Sequence, residues 1–457
     1  MGTDGGSRRS VEEVQQSRHQ SPSDLKSATP VDDGHANPVP WHQSMLSARA
    51  LKELGGGTSF FSQQMALFRS TPNLINLGLG APGYEGSSVA RQAAADVMNA
   101  SMTGVGADQA IPMLNQYSAT SGLRSLRFAL SSFYKRQFNA EYDPDREIVV
   151  TSSGTEAVTA AFFSILNPGD KVVVPQPAWP WYFPNLRLAG GVPIPMTLKA
   201  PDFRIDLVEL RELVEREEPK MLVLNTPHNP TGHALTREEL EGVAQILADR
   251  RILVLFDEVY QNIVFPPAEH LRISSFPGMR ERTISIGSGG KLYGLTGWRV
   301  GWAVGPPQLI RAIDMVHQHS TVCAPVPLQH GIGAALDAED GSFGGVVQLH
   351  AGSYAILKAA FEAIPGVHVC PSDGGYFFTL DIAATGMLAE EFCEIMLKEV
   401  GVGVVPMSAF YATLSDSATA KNLVRVSACQ RRSQVEEAAR RILKFCSAKS
   451  RKEDSEA

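Results

Sequence analysis

Between residues 147 and 304, short apolar runs alternate with stretches of helical periodicity: EIVVT (147–151), KVVVP (171–175), MLVLN (221–225), ILVLFDE (252–258), TISIG (283–287) and VGWAV (300–304). Each run is apolar almost throughout, the pattern of strands covered on both faces rather than one. The stretches between them carry helix starts, because Asp206 with Glu209 and Thr236 with Glu239 have the capping-box spacing. The pattern predicts an α/β fold built on a mostly parallel, doubly wound sheet. Beyond about residue 340 it changes to a long helix, then VHVC, YFFTL, GVGVV and NLVRVS, and a helix from Ser433 onward, which predicts a smaller α+β C-terminal lobe.

Residues 1–40 are rich in Ser, Gln, Asp, Gly and Pro and poor in large apolar side chains, so they cannot offset their ordering entropy and are expected to be disordered. The same expectation covers 447–457. The organisation expected between these tails is an N-terminal arm with part of a small domain (41–90), a large domain (91–335) and a small C-terminal domain (336–446).

Composition narrows the function classes. With 41 basic and 48 acidic residues among 457 the formal charge is −7, which argues against nucleic acid or an anionic membrane as the main partner. The five cysteines form no C-x-x-C pair and are odd in number, as in a reducing, cytoplasmic compartment. No apolar run reaches the roughly 18 residues that span a bilayer. Acids are interspersed at Asp4, Glu12, Glu13, Asp24, Asp32 and Asp33, against the usual composition of an organellar address.

In an open α/β sheet, ligands sit beyond the carboxyl ends of the strands. Ser153-Gly154-Thr155 follows EIVVT and opens a helical run, so its amides and the helix dipole can converge on an anion. Trp179 stands in a proline-flanked turn after KVVVP, where it can stack on a flat ring or serve as a buried anchor. Asn229 and His228 lie in a Pro/Gly-fixed loop after MLVLN; His228 reads as structural rather than as a base. Asp257 and Tyr260 follow the ILVLF run, and an acid there needs a cationic partner. The glycine-rich stretch SGGKLYGLTGWRVGW (288–302) carries Ser288, Lys291 and Arg299. Each member alone fits a structural reading. Together they are the groups that pyridoxal 5'-phosphate needs: a Schiff-base lysine, an acid for the ring nitrogen, donors to the ring oxygen and an anion site.

From about residue 44 to 446 the sequence resembles the class I/II pyridoxal-phosphate aminotransferases of fold type I. Ser288-x-x-Lys291 with Gly297-Trp298-Arg299-Val300-Gly301 is similar to the family's cofactor-lysine signature, which implies that Lys291 carries the cofactor. Asn229-Pro230-Thr231-Gly232 resembles the loop whose asparagine meets the ring oxygen, and Asp257-Glu258-Val259-Tyr260 the segment supplying the ring-nitrogen acid and a second group to that oxygen. Ser153-Gly154-Thr155 resembles the phosphate turn and Trp179 the stacking aromatic. The stretch 77–82 with Gly80 resembles the substrate-site loop, and Arg425 stands where the family holds the substrate α-carboxylate. Tyr117, with Gly122 nearby, resembles the tyrosine that reaches the phosphate of the other subunit, which implies a homodimer with shared active sites.

The implied activity is transfer of an α-amino group from an amino acid to a 2-oxo acid. Segments 113–122 and 316–331 are similar to kynurenine aminotransferases and glutamine transaminase K. No Arg or Lys occurs between Arg311 and Lys358, against a dedicated dicarboxylate site, so an aromatic or other large neutral donor is expected, with Tyr84 and Phe60 as candidates to line its pocket. The stretch TGVGADQAIPM (103–113) looks longer than the usual link. The alternative enzyme reading is a β-lyase, cyclase or aminocyclopropane-carboxylate synthase using the same carbanion. A cofactor-binding DNA regulator would need a basic winged-helix domain, for which forty residues are too few.

Overall fold

The computed structural model describes residues 45–54, 60–100, 115–338, 343–413 and 416–456. The expected N-terminal tail, the 103–113 stretch and the side chain of Phe60 lie outside the described residues. By internal contacts the chain divides into Met1–Ala48 and Arg49–Ala457, and the strands and the site below belong to the second unit.

A two-residue strand, β1 (Ile75–Asn76), precedes the main sheet. That sheet comprises β2 (Ile148–Thr151), β3 (Lys171–Gln176), β4 (Val192–Thr197), β5 (Met221–Asn225), β6 (Leu253–Asp257), β7 (Thr283–Ser288) and β8 (Gly301–Val304), in the order 2-8-7-6-5-3-4. All of its pairings are parallel except those of β8, which runs antiparallel to both β2 and β7. Then come β9 (His368–Val369), β10 (Phe377–Asp381), β11 (Val402–Gly403), β12 (Val405–Pro406) and β13 (Leu423–Ser427). β12, β13, β10 and β9 form an antiparallel sheet in that order, and β11 pairs in parallel with β1.

Every residue of β2, β5 and β8 is buried, as their unbroken apolar runs predict. Sequence periodicity missed β4, VPIPMT, because its two prolines read as breakers. They are tolerated because β4 lies at the edge of the sheet, where a missing N–H removes no ladder bond. GVGVV breaks into β11 and β12, one on each small sheet. The helix expected from Ser433 runs Arg432–Glu456, so the tail from Ser447 is helical and not disordered as its composition suggested. Its Lys, Arg, Glu and Ala residues are good helix formers and extend a helix whose start is nucleated by packing, at Val435, Ala438 and Ile442.

Register decides what meets at the carboxyl edge. Asn225 on β5 pairs with Asp257 on β6, and Asp257 with Ile286 on β7, so the loops after the three strands open side by side. On the small sheet Arg425 lies between Thr379 of β10 and Val405 of β12. The two predicted helix starts both form: Thr236 and Glu239 make a reciprocal capping box, and Asp206 accepts from the amides of Val208 and Glu209.

Candidate active site

A cavity of about 390 Å³ lies at the carboxyl edge of the main sheet, closed on one side by Phe377 and Arg425 of the small sheet. That size suits a small-molecule site. Gly80, Ser153, Gly154, Thr155, Trp179, Asn229, Asp257, Tyr260, Ser288, Lys291, Arg299 and Arg425, all singled out in the sequence, line it. Tyr117 does not: it is 80% exposed and absent from the wall. Tyr84 is also outside the wall, its hydroxyl 3.1 Å from His350 Nε2. His228 is buried away from it with Nδ1 2.8 Å from Thr231 Oγ1, and burial pulls its pKa down to about 3, so it is neutral.

One end of the cavity is built for an anion. The helix Gly154–Ile165 points its first turn there, capped by Ser153, whose Oγ accepts from the Glu156 amide at 3.3 Å. Ser153 holds φ at 110°, a conformation that costs strain and sets the turn. A Cβ on Gly301 would stand 2.2 Å from the Gly154 nitrogen, so only glycine lets β8 lie against this helix start. Glu156, which sequence reasoning missed, secures the turn. Its carboxylate accepts from the Ser152 amide, Ser320 and Thr321 and lies 2.9 Å from His317 Nδ1; although burial opposes it, the His317 contact and the hydroxyls hold its pKa below the usual range. His317, Ser320 and Thr321 lie in the stretch 316–331, so three of its side chains meet at Glu156. Arg299, in the left-handed region at φ 57°, and Ser288 complete this end.

The same cavity wall carries the acid. Asp257 is 6% exposed, accepts the Tyr182 hydroxyl at 2.5 Å and the Val259 amide at 3.3 Å, and has no ion-pair partner among the described residues. Burial pushes it up to about 6, against the pull of Tyr182, Val259 N–H and Lys291. Lys291 donates to the Gly80 carbonyl at 3.1 Å and also has no ion pair among the described residues. Burial brings its amine down to about 8, opposed by Cys429 and Asp257, so a nucleophilic, neutral fraction exists near neutral pH.

The third corner joins the sheets. Arg425 donates to Asn229 Oδ1 at 3.1 Å and to the Gly78 carbonyl, and its guanidinium lies 4.3 Å and 4.4 Å from the ring centres of Phe377 and Phe410. Asn225 continues the line: its Oδ1 accepts from the Asn229 amide and its Nδ2 donates to the Asp257 carbonyl. Asn225 ends a strand in the sequence and only the β5–β6 register shows its role. Trp179 presents its ring edge-on to Tyr182, at 5.2 Å, and stacks with Trp181, at 6.0 Å and 15°.

A buried acid and a partly buried lysine on one cavity, neither ion-paired among the described residues, with an anion cradle beyond, fit a ligand that carries a cationic ring nitrogen, an electrophilic carbon and a phosphate. The donor set therefore fits pyridoxal 5'-phosphate.

The chain belongs to the aminotransferases of class I and II, whose family model matches residues 72–442. It is 34% identical over 393 residues to a probable N-succinyldiaminopimelate aminotransferase of Mycobacterium tuberculosis, covering 84% of this chain and 95% of that protein. A solved structure of the M. tuberculosis enzyme superposes with a TM-score of 0.79 at 33% identity, covering 87% of this chain and 99% of that one. It is also 31% identical to the methionine aminotransferase of Escherichia coli (78% of this chain, 89% of that protein) and to mouse kynurenine–oxoglutarate transaminase 1 (74% and 84%). This is an aminotransferase, of a family whose members use pyridoxal 5'-phosphate.

Proposed function

We propose that the enzyme moves the α-amino group of a large neutral amino acid, aromatic donors included, to a 2-oxo acid, with pyridoxal 5'-phosphate as its cofactor. The observation that carries this reading is the placement of Arg425 across one cavity from Lys291, with Leu79, Trp181, Val259 and Phe377 on the wall between the polar ends. Among the described residues, Lys291, Arg299 and Arg425 are the cations of that wall, so a donor's α-carboxylate has its partner in Arg425 and its side chain meets apolar surface. Methionine and kynurenine, named for two relatives, are donors of this kind.

When bound, the cofactor supplies an electron sink for the bond broken at the donor's α-carbon. The Gly154 helix start with Ser153, Thr155, Ser288 and Arg299 would hold its phosphate, Trp179 its ring face, Asn229 and Tyr260 its ring oxygen, and Asp257 its ring nitrogen. Lys291 Nζ takes the α-proton and returns it, a role suited to an amine whose pKa lies near 8. Arg425 binds the donor's carboxylate with the planar fork that fixes orientation. Phe377 and Phe410 exclude water from that contact.

Two further elements belong to this reading. Tyr117, so exposed in a single chain, supports a homodimer in which it completes the phosphate site of the partner. Residues 91–335 act as the cofactor-binding domain and 41–90 with 336–446 as the smaller one, in a cytoplasmic protein; among the described residues no helix is long and apolar enough to cross a membrane.

The test is the absorbance of the cofactor-loaded protein before and after adding single amino acids without oxo acid. Conversion of the imine band to that of the aminated cofactor, fastest with aromatic donors or methionine, is expected. Fastest conversion by aspartate or glutamate would overturn the donor class. A persistent imine band with accumulating ammonia and pyruvate would replace transfer with elimination.

A further inference from the structure

We infer that Tyr182 is a positioning residue for the reaction: its hydroxyl donates to Asp257 Oδ2 and fixes the carboxylate that faces the cavity. The inference rests on the reading of Asp257 as the acid opposite the cofactor ring nitrogen.

Tyr182 is the first residue of the helix Tyr182–Leu188 and is 1% exposed, with its oxygen 2.5 Å from Asp257 Oδ2. Burial and the adjacent Asp257 hold the phenol well above its usual pKa, so the proton of the pair stays on the tyrosine and the carboxylate accepts. The other contact to that carboxylate is the longer bond from Val259 N–H at 3.3 Å. The charged and titratable groups facing Asp257 are Lys291, which favours its ionised form, and Glu258, which disfavours it, with Tyr260 close by. A buried carboxylate stripped of its strongest donor bears the desolvation cost alone and takes up a proton. The same tyrosine receives the Trp179 ring edge-on at 83°, so the aromatic on the ring face and the acid at the ring nitrogen are set by one side chain. A six-residue span, 177–182, thus places two contacts to one flat ligand.

The test is an infrared titration of the full chain without cofactor, with the Asp257 carboxyl band identified by its loss in Asp257→Asn. Wild type is expected to titrate near pH 6. Tyr182→Phe, which keeps the ring against Trp179, is expected to move that titration up by about one pH unit, roughly tenfold in the protonated-to-ionised ratio, consistent with a charge-assisted bond. A Phe variant with native circular dichroism and an unmoved Asp257 band would overturn the inference. Should that variant fail to fold, ring-labelled wild type decides: a tyrosine ring mode that shifts in step with the carboxyl band supports the pair, and none doing so overturns it. In the loaded enzyme the pKa of the acid limb of kcat/KM is expected to rise, whereas a merely structural tyrosine would lower activity at all pH values alike. Since the infrared measurement contains no cofactor, it can succeed while Asp257→Asn leaves the cofactor spectrum unchanged, and that second result would fault the reading of Asp257 rather than of Tyr182.

Discussion

Arg425 on β13 and Asn229 in the loop after β5 meet at 3.1 Å, guanidinium to amide oxygen, across the seam between the small sheet and the main one. Because Asn229 is held in turn by Asn225, and Asn225 by the Asp257 carbonyl, the group assigned to the donor's carboxylate and the acid assigned to the cofactor ring share one hydrogen-bonded frame. Shifts of one sheet against the other are therefore transmitted to both.

Arg425→Lys tests the substrate end of that frame. Lysine keeps the charge and loses the planar fork, the bond to Asn229 and the stacking between Phe377 and Phe410. The expected result is a KM for amino donors raised on the order of 10- to 100-fold, the worth of one or two charge-assisted bonds, with the cofactor absorbance retained. Steady-state kinetics beside an absorbance spectrum reads both; an unchanged KM would remove Arg425 from the donor site.

Gly301→Ala tests the anion end. The added methyl would lie 2.2 Å from the Gly154 nitrogen and 2.3 Å from the Ser153 carbonyl carbon, both backbone atoms that no rotamer change can clear. The helix start must move, so cofactor affinity is expected to fall at least about tenfold, with overpacking costing about 1–3 kcal/mol of stability. Titrating the unloaded protein with pyridoxal 5'-phosphate measures it, and wild-type affinity would show that the cradle is not the phosphate site.

What the chain reveals before folding divides along physical lines. The strands buried on both faces announce themselves as apolar runs, and the residues after them fall at the cavity because parallel strands end at one edge. β4 stays hidden because an edge strand tolerates the prolines that forbid a central one. Tyr182, Asn225 and Glu156 stay hidden because each acts through a partner dozens to more than a hundred residues away, 75 for Tyr182 with Asp257 and 161 for Glu156 with His317, and only strand register and helix packing create those pairs. Tyr117 is legible as a motif yet stands outside the cavity of its own chain. The helical course of the final residues was masked by a polar composition that suits an exposed helix as well as a coil.

The pair behind Asp257 makes the third prediction. Arg272 donates in a fork to Glu258, both are buried, and its guanidinium lies over the ring of Tyr134 at 4.4 Å. Arg272→Ala strips the buried Glu258 of its guanidinium fork and leaves it His270 Nε2, at 3.0 Å, as its ionic contact among the described residues, which is expected to cost about 3–5 kcal/mol, measured by urea unfolding. Although burial opposes it, Arg272 and His270 hold Glu258 at about 2, below its unfolded value, so its contribution is present above about pH 4.5 and is lost as pH falls towards 2.

His233 carries a pH dependence of the opposite sign. The ring is 8% exposed and bridges two carboxylates: Nε2 is 2.9 Å from Glu239, at the start of the helix Arg237–Leu247, and Nδ1 is 3.1 Å from Asp373, in the segment leading to β10. Asp373 also accepts from the Ala234 amide and donates its own amide to the Gly232 carbonyl, so the bridge ties the Asn229 loop to the small sheet. Burial works against the charged ring, but Asp373 and Glu239 outweigh it and raise His233 to about 9. A pKa above the unfolded value, about 6.5, means the folded state holds the proton more tightly. The stabilisation is complete below about pH 6.5 and disappears as pH rises through 9. A shift of this size converts to about 3 kcal/mol, which solvent screening at the half-exposed Asp373 reduces to about 2 kcal/mol. Lys291, lowered to about 8, costs stability below that pH and the cost is relieved as pH rises from 8, overlapping the upper part of the His233 range, so the wild-type profile alone is a sum. The difference in urea stability between wild type and His233→Gln isolates the bridge: it is expected to shrink steadily from pH 6.5 to 9, and a difference that stays constant across that range would mean that His233 is held neutral.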